Sequence, residues 1–190
     1  MSRWEPNTRD RLERAALELY RDRGFEQTTV AEIAQRAGLT ERTFFRHFAD
    51  KREVLFGGAS GLQDLMTRAV TEHTVRPSAP IDAVAHALDV AARLLQERGA
   101  LARQRQDVIA ANPVLQEREL IKLASLAAAI AAALRSCGVG EPAASLSAEA
   151  GIAVFRVAFE RWVEDTDQDF PAIIEDSLAQ LRVVAGAKQA

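Results

Sequence analysis

Between Thr40 and Arg52 the chain sets Glu41, Arg42, Thr43, Arg46, His47, Lys51 and Arg52 around an aromatic pair, Phe44 and Phe48, spaced one helical turn apart. These residue types suit contacts with a polyanion. An arginine fork matches a phosphate or a guanine edge with two parallel bonds, while threonine, histidine and lysine each add donors. A glutamate can accept from cytosine, and an exposed aromatic ring can meet a thymine methyl. The pattern therefore describes a short helix with an apolar side that anchors it and a polar side left for a partner.

The elements that must position this helix are legible around it. Thr29 followed by Glu32 forms a capping box, so a helix should begin near Val30. Ile33, Ala34 and Ala37 recur at helical spacing, and Gly38 can close the helix in the left-handed conformation. Thr40 then caps a second short helix through His47, and Asp50 with Glu53 repeats the capping pattern for a third helix starting at Lys51. Closely spaced helix starts with compact turns predict a helix-turn-helix. A plain helical hairpin would carry the same caps, but the free arginines of the second helix favour the DNA-binding reading.

From Thr8 to Leu55 the chain resembles the TetR (tetracycline repressor) family of bacterial transcriptional regulators. The resemblance rests on Gly24 and Phe25, Thr29, Ile33 and Ala34, Ala37 and Gly38, Thr40, the run Phe44 to Phe48, and Lys51. Two positions depart from the family pattern. Arg42 stands where glycine is common and Phe45 where tyrosine is common, so a phenolic hydrogen bond is lost there and a long bidentate donor is added. By position, Thr29, Thr43, Arg46, His47 and Lys51 are expected to meet phosphates, whereas Glu41, Arg42 and Phe45 are expected to meet base edges. Glu41 and Arg42 can equally form a mutual surface ion pair.

Composition narrows the remaining classes. The formal net charge of −3 is unevenly spread, with eleven cations against ten anions through Glu53 and the acidic excess in the remainder. Affinity for DNA must then come from local placement rather than bulk charge. Arg3 and Arg9, in or beside the N-terminal arm, are either further DNA contacts or solvated charges. A single cysteine, Cys137, excludes an intramolecular disulfide or a paired-cysteine metal site. His47, His73 and His86 are scattered, and no catalytic triad or phosphate-binding glycine loop is present. The expectation is no enzyme, no cofactor and no metal. No apolar run reaches the ~18 residues of a membrane span, and MSRWEPNTRDR lacks the order of a secretory signal, so a cytoplasmic protein without membrane contact is expected.

Beyond the head the pattern is helical throughout. One helix is predicted from Lys51 to about His73, weakened at Gly57, Gly58 and Gly61, followed by a linker over Val75 to Pro80. Further helices are predicted over Ile81 to Glu97, Leu101 to Ala111, Val114 to Ser136, Ser147 to Glu164 and Phe170 to Val184. The fold class is all-α: a three-helix DNA-binding domain over 1–53, then a helical ligand-binding and dimerisation domain over 54–190. The family resemblance implies a homodimer built on the last two helices, and Phe155, Phe159, Trp162, Ile174, Leu178 and Leu181 are the expected interface. The same apolar stripes would also serve the subunit's own core.

A ligand pocket implied by the resemblance has Leu65, Leu88, Ala92, Leu95, Arg103, Ile109, Leu126, Ile130 and Phe155 as candidates, each of which can equally be core. Gln104 and Asn112 are polar candidates beside them. The segment RQRQDVIAANPVLQERE with LIKLASLAAAIAAAL resembles a TetR subgroup described as binding acyl-CoA-like ligands. The expected partners are a double-stranded DNA operator, a second copy of the chain, and an unknown small-molecule effector of apolar or acyl character. The function expected is a repressor released from a palindromic operator by that effector. The alternative keeps DNA binding but makes the C-terminal bundle a protein-interaction module.

Overall fold

The computed structural model describes residues 8–73, 79–165 and 167–186. These contain nine α-helices and no strand. They are α1 (Thr8–Arg23), α2 (Val30–Arg36), α3 (Glu41–His47), α4 (Ala59–His73), α5 (Pro80–Gln96), α6 (Gly99–Ala110), α7 (Pro113–Ser136), α8 (Ala143–Glu164) and α9 (Phe170–Gly186), with a 3₁₀ turn over Glu53–Phe56 between α3 and α4. Most of the predicted linker, including Pro77, lies outside the described residues.

The chain divides into two compact units. The first runs through Ala59 and also takes in Arg103–Glu119; the second comprises Ser60–Ala102 and Leu120 onward. The head thus extends past the expected boundary at Glu53 and recruits a segment from the middle of the chain.

In the first unit α1 packs on α2 and on the 3₁₀ turn, and α2 packs on α3. Leu12, Ala16, Tyr20, Ile33, Ala34, Phe44 and Phe48 are buried between them. The capping box forms as expected: the Thr29 hydroxyl accepts from the Glu32 N–H, and the Glu32 carboxylate accepts from the Thr29 N–H at 2.9 Å. At the other end of α2, Gly38 takes φ +65° while Leu39 N–H donates to the Ala34 carbonyl at 2.8 Å. A side chain at that φ would be strained, so the tight turn into α3 depends on this glycine.

The predicted helix from Lys51 to His73 is not continuous. Asp50 accepts from the backbone N–H groups of Arg52 and Glu53, which starts a 3₁₀ turn ending at Phe56. The chain then turns at Gly57 and Gly58 before α4 begins at Ala59. Two adjacent glycines lack the propensity to carry an α-helix through. The start of α8 also differs, at Ala143 rather than Ser147, because the Glu141 carboxylate reaches Ser145 N–H at 3.2 Å and its hydroxyl at 2.9 Å. That side chain caps the first turn early.

In the second unit α5, α8 and α9 pack on one another. Its core is built from Val70, Val84, Leu88, Ala92, Ile130, Ala158, Trp162, Phe170 and Ile174 among others. Trp162 and Phe170 stack with ring centroids 4.6 Å apart. No helix among the described residues is long and apolar enough to cross a membrane.

Candidate nucleic-acid interface

The site is the outer side of α3 together with the N-terminus of α2. Thr40 caps α3 by accepting from Thr43 N–H at 3.2 Å, and its hydroxyl lies 3.0 Å from that of Thr43. Phe44 is fully buried and Phe48 nearly so, which orients the short helix by its apolar side. Glu41, Arg42, Phe45 and Arg46 are then directed outward, with Phe45 55% exposed. A phenylalanine so exposed, next to one fully enclosed, is consistent with a surface that expects a partner.

Ion pairing sorts the cations of this unit. Arg21, Arg23, Arg36 and Arg52 pair with Asp22, Glu32, Glu18 and Asp50 respectively. Arg11 donates to the Ala37 carbonyl at 2.6 Å, at the C-terminus of α2. Among the described residues neither Arg42 nor Arg46 has an ion-pair partner, and neither does Glu41. The mutual Glu41–Arg42 pair is therefore not formed, and both groups stay free for a partner.

The expected phosphate contacts fare unequally. Thr29 is exposed, but its hydroxyl already donates to the Glu32 carboxylate at 2.9 Å. Thr43 and His47 are half-buried. His47 Nε2 is buried without a hydrogen-bond partner, so an anion contact from this ring falls to Nδ1. Lys51 is placed otherwise than expected: its ammonium donates inward to the carbonyls of Phe25, Glu26 and Thr28 at 2.9, 3.2 and 3.1 Å. Arg9 is likewise structural rather than a free DNA contact. It donates to the Gly57 carbonyl, lies 3.4 Å from Glu13 and packs its guanidinium 5.1 Å from the Phe48 ring centre. Arg3 lies outside the described residues.

The segment 103–119 supplies parts of the head that no local motif announces. Arg105 Nε donates to the Leu55 carbonyl at 2.7 Å, its Nη1 meets Glu119 at 3.0 Å, and its guanidinium lies over Phe56. Arg118 Nε donates to the Glu53 carboxylate at 2.6 Å. Burial lowers the pKa of Arg105 while Glu119 opposes the shift, and a guanidinium in such a place keeps its proton. The two arginines brace the 3₁₀ turn that follows α3.

The expected ligand-pocket residues fall in both units. Leu88, Ala92, Leu126, Ile130 and Phe155 are buried in the core of the second unit, with Leu95 packed against it and Leu65 half-buried. Arg103 and Ile109 belong to the first unit. Gln104 is exposed, and Asn112 is engaged locally, donating to the Val108 carbonyl at 2.6 Å. A separate open groove of about 440 Å³ runs between α5 and α9, over Ile174 and Leu178 and between Arg93 and Arg182, and includes none of the nine candidates.

Of the two settings left open for the apolar stripes of α8 and α9, the subunit's own core takes four of the six residues. Trp162, Ile174, Phe155 and Leu178 are buried within the subunit itself, because α8 and α9 use their widest apolar faces against α5 and each other. Phe159 and Leu181 are only half-buried. The apolar surface that α8 and α9 leave exposed includes Leu146, Ala153 and Val157 on one and Ala179, Val183 and Val184 on the other. An ion pair from Arg161 to Asp176 at 2.8 Å brings those two helices together beside it.

A capped, glycine-closed helix pair presenting unpaired arginines, followed by an all-helical second unit, defines a helix-turn-helix regulator of transcription. Residues 13–56 match the bacterial regulatory proteins of the tetR family, and residues 78–185 match the MftR C-terminal domain family. The chain belongs to the TetR family of bacterial regulatory proteins; it is a DNA-binding regulator and not an enzyme.

The HTH-type transcriptional regulator TcmR of Streptomyces glaucescens is 45% identical over 71 residues, a stretch that covers 37% of this chain and 30% of that relative. Two solved structures show the same architecture over nearly the whole length. One is Thermus thermophilus FadR, a TetR-family transcriptional repressor in complex with lauroyl-CoA, at 26% identity and TM-score 0.59 over 96% of this chain and 97% of that one. The other is Bacillus subtilis FadR in complex with stearoyl-CoA, at 20% identity and TM-score 0.60 over 94% and 99%.

Proposed function

We propose that this chain is a repressor that binds a palindromic operator as a homodimer and is released by a small apolar or acyl effector. The observation that carries the DNA half is the face of α3, where Arg42 and Arg46 stand exposed and unpaired among the described residues beside Phe45 and Glu41. Arg42, Glu41 and Phe45 are assigned to base edges. Arg46, Thr43, Thr29 and the Nδ1 edge of His47 are assigned to phosphates. One short helix reads few base pairs, so a second copy related by two-fold symmetry supplies the rest of the site.

The second copy is assigned to the exposed row of α8 and α9. Alanine at 153 and 179 permits close helix approach, and Val157 and Val183 supply apolar area at 46% and 67% exposure. The effector is assigned to the second unit, among Leu88, Ala92, Leu126, Ile130 and Phe155. These residues are packed, so a ligand must separate them, and release of DNA follows only if the ligand binds the DNA-incompetent state more tightly. An acyl chain is the favoured class because the Thermus thermophilus relative is described in complex with lauroyl-CoA.

Selection of bound sequences from a random double-stranded pool, repeated with acyl-CoA thioesters of graded length, tests the reading. Enrichment of an inverted repeat whose binding is abolished by one thioester is the expected result. An enriched site lacking two-fold symmetry would refute the dimer, and binding indifferent to every thioester would refute the acyl effector.

A further inference from the structure

We infer that the ion pair between Arg161 and Asp176 determines which alignment of two subunits is accepted when the homodimer forms. This rests on the dimer reading above and adds the residues that select the register. On α9, Ala172, Asp176, Ala179, Val183 and Gly186 are all exposed, and their alternating spacing of four and three residues sets them along one seam. On α8, Leu146, Ala150, Ala153, Val157, Glu160 and Glu164 follow the same spacing, Ala150 half-buried and the others exposed. Alanine, valine and glycine alone have no feature that forbids a slip along such a seam. Asp176 is the charged member of the α9 seam, and Arg161 reaches it from α8.

Arg161 Nη1 donates to Asp176 Oδ2 at 2.8 Å and to the hydroxyl of Ser177 at 3.3 Å, and Ser177 is itself buried. The guanidinium is thereby held between the two helices at a fixed height along both seams. Its side chain is 45% exposed and that of Asp176 49%, so in one subunit water still solvates the pair. Arg161 Nε and Nη2 and Asp176 Oδ1 have no protein partner among the described residues. A second copy laid over the seams strips that water, and the atoms left open then need hydrogen bonds from the facing chain. The α8 seam carries Glu160 and Glu164, which suit a guanidinium. An alignment that sets alanine or valine over the pair instead leaves charged groups buried and unsatisfied, and is rejected. Apolar area supplies the affinity, and the ion pair supplies the alignment.

Affinity and alignment are measured separately. Sedimentation across a dilution series gives the dimer affinity. Spin labels at Glu175→Cys, in a Cys137→Ser background, give the distance between subunits, since Glu175 is exposed on the α5 side of α9 and off the seam. The otherwise wild-type chain is expected to dimerise with one narrow distance. Asp176→Ala strands Arg161, and the dimer is expected to weaken by roughly tenfold or more. Arg161→Met combined with Asp176→Leu removes both charges and is expected to dimerise at least as tightly as wild type, while the distance distribution broadens or splits. Retained affinity with lost alignment is not what a residue that merely holds α8 to α9 would produce. Thermal unfolding confirms that each variant is folded at the assay temperature.

A single narrow distance in the apolar double variant overturns the inference and leaves the dimer reading standing. So does a folded Asp176→Ala with unchanged dimer affinity. A wild-type chain that stays monomeric at micromolar concentration removes the dimer reading itself, and the inference with it.

Discussion

Arg105 Nε lies 2.7 Å from the carbonyl oxygen of Leu55, across a sequence separation of 50 residues. The same guanidinium meets Glu119 and covers Phe56, so one side chain braces the turn after α3 from three directions. Arg105→Leu should destabilise the first unit by about 1–3 kcal/mol, since it strands a carbonyl and a carboxylate that were bonded to a charge. Chemical denaturation followed by Trp-independent far-UV signal measures this, and a change within about 0.5 kcal/mol, the range of an ordinary surface substitution, would contradict it.

Adjacent phenylalanines of α3 should respond in opposite ways. Phe44 is fully buried, and Phe44→Ala should cost about 3–5 kcal/mol by cavity formation. Phe45 is 55% exposed, so Phe45→Ala should leave stability nearly unchanged while weakening binding to the selected site more than to random DNA. Parallel unfolding and DNA-binding measurements on the two variants distinguish them. Equal loss of stability would mean that Phe45 is packing rather than reading.

Gly151 allows α8 to approach α5. A Cβ at that position would stand 2.2 Å from Val84 Cγ1, inside any tolerable contact. Gly151→Ala should therefore destabilise the second unit by about 1–3 kcal/mol despite its better helix propensity. Val84→Ala removes the obstructing methyls, so the double variant should recover part of the loss. Additive effects in that cycle would show that the two side chains do not compete for one space.

Acid should loosen the start of α2. Bonds from the Thr29 N–H and hydroxyl, with the Arg23 charge nearby, hold the Glu32 carboxyl below its ordinary pKa. A carboxylate depressed in the folded state stabilises fully above its unfolded pKa, and that contribution disappears as pH falls through the folded one. The melting temperature of wild type should drop between about pH 5 and pH 3, and Glu32→Gln, which keeps the cap but not the charge, should flatten part of that limb. An identical acid limb in the variant would remove Glu32 from the explanation.

Local signals carried most of what was legible in advance. Thr29 with Glu32, Gly38 and Thr40 each fix a helix end through bonds within a few residues, and those ends fall as the spacing predicts. The outward side of α3 was legible because burial of Phe44 and Phe48 dictates it. Long-range partners were not. Nothing near Lys51 in sequence shows that its ammonium turns toward residues 25–28, and nothing in the run around Arg105 shows that it belongs with Leu55. The stripes of α8 and α9 left two settings open for a related reason. Periodicity reveals that a face is apolar, but only the neighbouring helix α5 decides that Trp162 and Ile174 are enclosed within one subunit.

The pairing of cations in the first unit also bears on how fast a partner is found. Arg21, Arg23, Arg36 and Arg52 are held against carboxylates, whereas Arg42 and Arg46 stand one helical turn apart on α3 with no ion-pair partner among the described residues. At a distance the unit is nearly neutral, so a polyanion feels little pull until it is within a Debye length, about 8–10 Å in physiological salt. Inside that range the exposed arginines without an ion pair, among the described residues of the unit, are Arg42 and Arg46 on α3 together with Arg14 on α1. Encounters that begin where the arginines are held against carboxylates gain little and dissociate, while those that begin at an unpaired arginine are held longer, so orientation is biased during approach rather than after contact.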